Sequence, residues 1–105
     1  LNDAGNQPTK IEIYDGKEEN YILINTQEKK ITVESKTGDI LIKAKETVRI
    51  EAKNIETQSD QATSSKAGTN YTIQASANIE NKASGNMTLQ AGGTMTEKAA
   101  LIKLN

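Results

Sequence analysis

The chain contains neither cysteine nor histidine. Without thiols there is no disulfide and no thiolate metal site, and cysteine usage carries no information on redox compartment. Without imidazole, Ser–His–Asp and Cys–His catalysis and His-ligated zinc are excluded, so an enzyme is not expected. Phe and Trp are absent, Tyr occurs three times and Pro once. An excess of one charge is missing too: 13 basic against 14 acidic residues leave −1, with pI near 5.5. Such a chain has no general basic field for nucleic acid or anionic lipid. No apolar run approaches roughly 18 residues and no basic, apolar leader precedes Asn2, so neither a transmembrane span nor a signal peptide is expected. The opening at Leu1 rather than Met reads as a cut fragment.

What is present is small. At 105 residues and 11.4 kDa the chain is one domain at most, and folding alone it would bury only about two-thirds of its surface. Leu, Ile, Val and Phe make 20 of 105 residues, about 19 %, on the threshold of disorder; the near-zero net charge argues against disorder. Any core must be compact, or shared with other chains.

Charge divides the sequence. Residues 58–105 hold seven charged residues of 48, and residues 1–57 hold the other 20. Residues 1–9, with Asn2, Gly5, Asn6 and Pro8, read as a flexible linker. In 10–35 apolar residues alternate. Ile11 and Ile13 flank Glu12, Tyr14-Asp15-Gly16-Lys17 supplies the Asp-Gly turn of a tight hairpin, Tyr21-Ile22-Leu23-Ile24 returns, and Ile31-Thr32-Val33-Glu34 follows. N-terminal strands and a hairpin are therefore predicted.

From residue 36 to 105 the rhythm is eight. AGTNYTIQ, ASANIENK, ASGNMTLQ, AGGTMTEK and AALIKLN follow one another, with Ala67, Ala75, Ala83, Ala91 and Ala99 at position one. Position five is Tyr71, Ile79, Met87 and Met95; position seven is Ile73, Asn81, Leu89 and Glu97; positions two and three are small. Going backward the frame survives one deleted residue near Asn54, with Ala52 and Ala44 at position one, Val48 and Ile40 at five, Ile50 and Ile42 at seven. An internal repeat takes precedence over local pattern.

Eight residues advance an α-helix by about 800°, leaving an 80° drift per repeat and no fixed stripe. Positions one, five and seven are all odd, which is strand alternation, and small residues at two and three let the chain turn. A single-chain triangular solenoid would need three octads per coil and a 24-residue modulation, and none is visible. Identical octads are what symmetry among chains demands. The expected fold is all-β: an intertwined homotrimeric β-helix, a triangular prism of octads preceded by short hairpin strands. Its core is assigned to Ile40, Ile42, Val48, Ile50, Tyr71, Ile73, Ile79, Met87, Leu89 and Met95. Thr57, Thr63 and Ser65 replace apolar residues, so 57–66 is expected to be the weakest or wettest layer.

The run TKIEIYDGKEENYILINTQEKKITVES, followed by GDILIKA, TVRIEA, NYTIQA, NMTLQA and the terminal ALIKLN, resembles the C-terminal β-helical needle of VgrG proteins, the spike of bacterial type VI secretion systems, and the central spike of contractile phages. The resemblance covers residues 10–105. It implies a homotrimeric structural spike that does no chemistry and needs no cofactor. It also implies attachment to the tube or baseplate through N-terminal domains missing here, and mechanical passage through a target membrane. The implied location is the bacterial cytoplasm in the assembled particle, then the target cell or the extracellular space. Spikes that bind iron do so through paired histidines, which this chain lacks. A PAAR-repeat protein commonly caps such needles, and the corresponding residues are Ala99, Ala100, Leu101, Ile102, Lys103, Leu104 and Asn105.

Rival signals carry plainer readings. Asn70-Tyr71-Thr72 and Asn86-Met87-Thr88 match the glycosylation sequon but fall at repeat positions four to six. Gly92-Gly93 lacks the Lys-Ser/Thr and helix of a phosphate cradle. Asp15, Glu18 and Glu19 are solvated hairpin-tip charges rather than a cation site. A trimeric tail-fibre or adhesin shaft is the alternative function; lateral aromatic clusters would favour it, and the three tyrosines read as scattered. A solenoid enzyme would need paired carboxylates after residue 56, where only Asp60, Glu80 and Glu97 occur.

Overall fold

The computed structural model describes residues 10–17 and 19–105. The linker assigned to 1–9 and Glu18 of the acidic trio lie outside them. The described residues are all-β and contain no helix. Three strands form a meander: β1 (Lys10–Tyr14), β2 (Asn20–Asn25) and β3 (Lys30–Ser35), in the order β1-β2-β3 and antiparallel throughout. The alternating runs around Ile11, Ile22 and Ile31 become these strands, as their β-branched content favours.

Register follows the alternation. Ile11 pairs with Ile24 and Ile24 with Ile31; Ile13 pairs with Ile22 and Ile22 with Val33. Paired residues share a face, so these six aliphatics lie on one side. The other side carries the rows Tyr14–Tyr21–Glu34, Glu12–Leu23–Thr32 and Lys10–Asn25–Lys30.

The β1–β2 connection departs from the tight Asp-Gly turn expected of it. The strands close at Tyr14 opposite Tyr21, and the Asp15 N–H donates to the Asn20 carbonyl at 3.2 Å, leaving a longer loop. The cause is the Asp15 carboxylate. It accepts from Asn20 Nδ2 at 2.8 Å, from the Glu19 N–H at 2.9 Å and from the Lys17 N–H at 3.2 Å, drawing the whole loop around one side chain. These bonds, the Asn20 amide first, hold the Asp15 carboxyl below its ordinary 3.8. A depressed folded value means the stabilisation is fully present above 3.8 and fades as pH falls through the folded value. The tyrosine circular dichroism of the sheet should therefore melt earlier as pH drops below about 4, and less so in Asp15→Asn.

A second Asx turn joins β2 to β3. Asn25 Oδ1 accepts from the Gln27 and Glu28 N–H groups, both at 3.1 Å, and Lys29, at φ 56°, re-aims the chain into β3.

Beyond β3 the pairing stops. The Lys36 N–H donates to the Glu19 carbonyl at 2.8 Å. From Thr37 to Asn105, among the described residues, the backbone makes no hydrogen bond to backbone of its own chain. The chain divides into two units between Thr57 and Gln58, the point at which charge density falls. No described side chain is buried.

Candidate functional site

The octads are the site. Bends fall at 36–38, Lys45-Glu46, Lys53, Asp60-Gln61, Gly68-Thr69, Ser76-Ala77, Ser84-Gly85, Gly92-Gly93 and Ala100. They recur every eight residues at positions two and three of the frame set by the alanines. Between Lys53 and Asp60 the interval shortens by one, and the bend at Lys53 is a single residue. The deletion read near Asn54 is therefore taken up inside a bend, leaving the straight segments at full length.

Small side chains are not what makes the chain turn. It bends at Lys45-Glu46 and Asp60-Gln61 as it does at Gly92-Gly93. Gly68, Gly85, Gly92 and Gly93 have ordinary φ, and a Cβ built on each meets nothing within 4 Å. The bend itself therefore requires no small residue.

The segments between bends repeat one environment. Position-five side chains (Ile40, Val48, Tyr71, Ile79, Met87, Met95) are 49–60 % exposed, and position-seven side chains (Ile42, Ile50, Ile73, Leu89) are 67–72 % exposed. Alternation places five and seven on the same side of the strand. All ten residues assigned to a core thus occupy equivalent places, and within one chain none is buried. Ile55 joins them at 56 %. It was passed over because it follows the deletion; counting from the shortened bend puts it at position five.

The octad of 59–66 differs. Ser59, Thr63 and Ser65 hold positions one, five and seven, and the Ser59 and Thr63 hydroxyls lie 2.7 Å apart in a mutual hydrogen bond. The neighbouring octads hold Ala52 and Ile55, and Ala67 and Tyr71, at the corresponding places.

At 99–105 the phase breaks. Counting from Ala99, Lys103 takes position five and Asn105 position seven, while Leu101, Ile102 and Leu104 take three, four and six. These three are 73 %, 47 % and 89 % exposed.

The sheet's polar face is closed by its own contacts. The Tyr21 hydroxyl donates to Glu34 Oε1, which raises the Tyr21 pKa. Lys10 Nζ lies 2.7 Å from Glu12 Oε1, which raises that of Lys10. Tyr14 and Tyr21 are not scattered: their rings lie 5.3 Å apart at 31°, and Lys36 Nζ sits 5.6 Å from the Tyr21 centroid. The pairing was missed because Tyr14 and Tyr21 meet only through the β1–β2 register.

Among the described residues no group of three or more Asp or Glu could hold a metal ion, and no helix is long and apolar enough to cross a membrane. Compared with protein-family models, with curated proteins and with solved structures, the chain matches none.

Proposed function

We propose that the chain is one strand-supplying third of a trimeric β-helical needle, a mechanical part that punctures a target envelope when a contractile machine drives it. The observation that carries the reading is the stretch from Thr37 to Asn105: bent every eight residues, aliphatic on one side, and without one backbone ladder of its own. Ordering each backbone residue costs about 1–2 kcal/mol. Residues that bury no side chain and pair no backbone offer nothing within the chain to offset that cost. Other copies can supply both, since Ile40, Val48, Ile55, Tyr71, Ile79, Met87 and Met95 recur at one place in the repeat and would meet equivalent neighbours.

The same observation weighs against a single-chain solenoid, whose coils would pair with one another. Ala at position one, and β-branched residues or Met at five, suit a narrow interior shared three ways. On this reading Ile40, Ile42, Val48, Ile50, Tyr71, Ile73, Ile79, Met87, Leu89 and Met95 form the axis, with Ile55 among them. The resemblance to VgrG needles supplies the number three, the contractile particle, a PAAR-repeat protein at Ala99–Asn105 and a passage from bacterial cytoplasm into the target.

One observation favours the adhesin alternative, the tilted Tyr14–Tyr21 ring pair. As a cross-strand contact it is accounted for by sheet packing, which such pairs strengthen by about 0.5–1.5 kcal/mol. The deciding measurement for the needle is native mass. Three chains of 11.4 kDa give 34.2 kDa, and a species of 11.4 kDa in dilute solution would remove the proposal.

A further inference from the structure

We infer that Asp15-Gly16 is a site of spontaneous modification, at which the aspartate rearranges to isoaspartate once the β1–β2 loop opens, and that Asn20 holds the site shut in the folded chain. The inference stands on this loop alone and is independent of the number of chains in the proposed needle. The chemistry needs a main-chain nitrogen that can close on the carboxyl of the preceding aspartate, and glycine leaves that nitrogen without a side chain to shield it. Asp15-Gly16 is the one Asp-Gly in the sequence, and Asn-Gly does not occur. Both residues are exposed, and a Cβ built on Gly16 meets nothing within 4 Å. Among the described residues the Gly16 N–H has no hydrogen-bond partner.

The step balances with no reagent other than water. The Gly16 nitrogen attacks Asp15 Cγ; a C–N bond forms, a Cγ–O bond breaks, and the carboxyl hydroxyl leaves with the amide proton as water. Water then opens the resulting succinimide. Attack at Cγ restores aspartate, whereas attack at the former main-chain carbonyl reroutes the chain through the side chain, one methylene longer, and frees that carbonyl as a carboxylate. For this the Asp15 carboxyl must be neutral and free to move. In the folded loop it is neither. Oδ2 accepts from Asn20 Nδ2 at 2.8 Å, and Oδ1 accepts from the Glu19 and Lys17 N–H groups at 2.9 and 3.2 Å. Three donors favour the anion and tie its oxygens to residues beyond Gly16. Of the three, only Asn20 donates through a side chain, so its amide can be removed while the main-chain bond from the Asp15 N–H to the Asn20 carbonyl stays. Asn20 is thus a positioning residue.

The full chain is held at pH 6 and 37 °C, folded and in urea, and isoaspartate at residue 15 is counted by peptide mass spectrometry. The folded chain is expected to form it at least about tenfold more slowly than the unfolded chain, because a closed loop reacts only through its open fraction. Asn20→Ala should recover most of that difference while the tyrosine circular dichroism of the sheet is retained; Asn20→Thr repeats the reading if Asn20→Ala loses it. Gly16→Ala, at a position of ordinary φ, should suppress the product in every sample, which assigns it to this pair. Equal rates in the folded and unfolded parent overturn the inference. So does an Asn20 variant that keeps the sheet and reacts no faster than the parent. Neither result bears on native mass, so the needle reading stands or falls separately.

Discussion

Ile79→Asp leaves the protein at 11.4 kDa where the parent assembles. Ile79 holds position five of a complete octad and is 52 % exposed in the single chain; in the proposed trimer that half would face the axis. The substitution brings three carboxylates together. Even at an effective dielectric near 20, two charges about 5 Å apart repel by about 3 kcal/mol, there are three such pairs, and each ion is withdrawn from water at a further cost of several kcal/mol. Losing three aliphatic side chains from a shared interior removes about 1.5–3 kcal/mol apiece. Asn78→Asp is the control, since its neighbouring position points to the other side of the strand; it should keep the parent mass. Protonation below about pH 4 should restore part of the Ile79→Asp assembly. A trimer of Ile79→Asp unchanged in mass and melting at pH 7 would falsify the inward assignment.

Deleting residues 99–105 is expected to do the opposite: assembly survives and the tip loses its partner. Leu101, Ile102 and Leu104 occupy positions that earlier octads, Leu41 apart, give to polar or small residues, and they are open to solvent. In the proposed trimer three copies would make an apolar ring, which is how a docking surface differs from scattered exposed leucines. Pull-down with a PAAR-repeat protein reads the outcome, with native mass of the shortened chain as the check on assembly. Undiminished capture would refute the assignment of Ala99, Ala100, Leu101, Ile102, Lys103, Leu104 and Asn105.

The alanine frame was enough to foretell the bends, because the repeat carries the count of residues between them and that count is conformational. Its slip near Asn54 reappears as the one-residue bend at Lys53. The strands around Ile11, Ile22 and Ile31 were legible for the same local reason. The β1–β2 loop was not, since Gly16 suggests a two-residue turn while the outcome depends on three donors converging on Asp15. Nor was the Tyr14–Tyr21 ring pair or the six-residue aliphatic face, both of which exist only once register is set. The role assigned to small bend residues does not hold: the chain bends at Lys45-Glu46 as it does at Gly92-Gly93.

The succession of those bend residues has a direction. Lys36-Thr37-Gly38, Lys45-Glu46, Lys53 and Asp60-Gln61 each carry a charge, whereas Gly68-Thr69, Ser76-Ala77, Ser84-Gly85 and Gly92-Gly93 carry none. The turning points thus shed their charge along the sequence while the backbone goes on bending at the same interval.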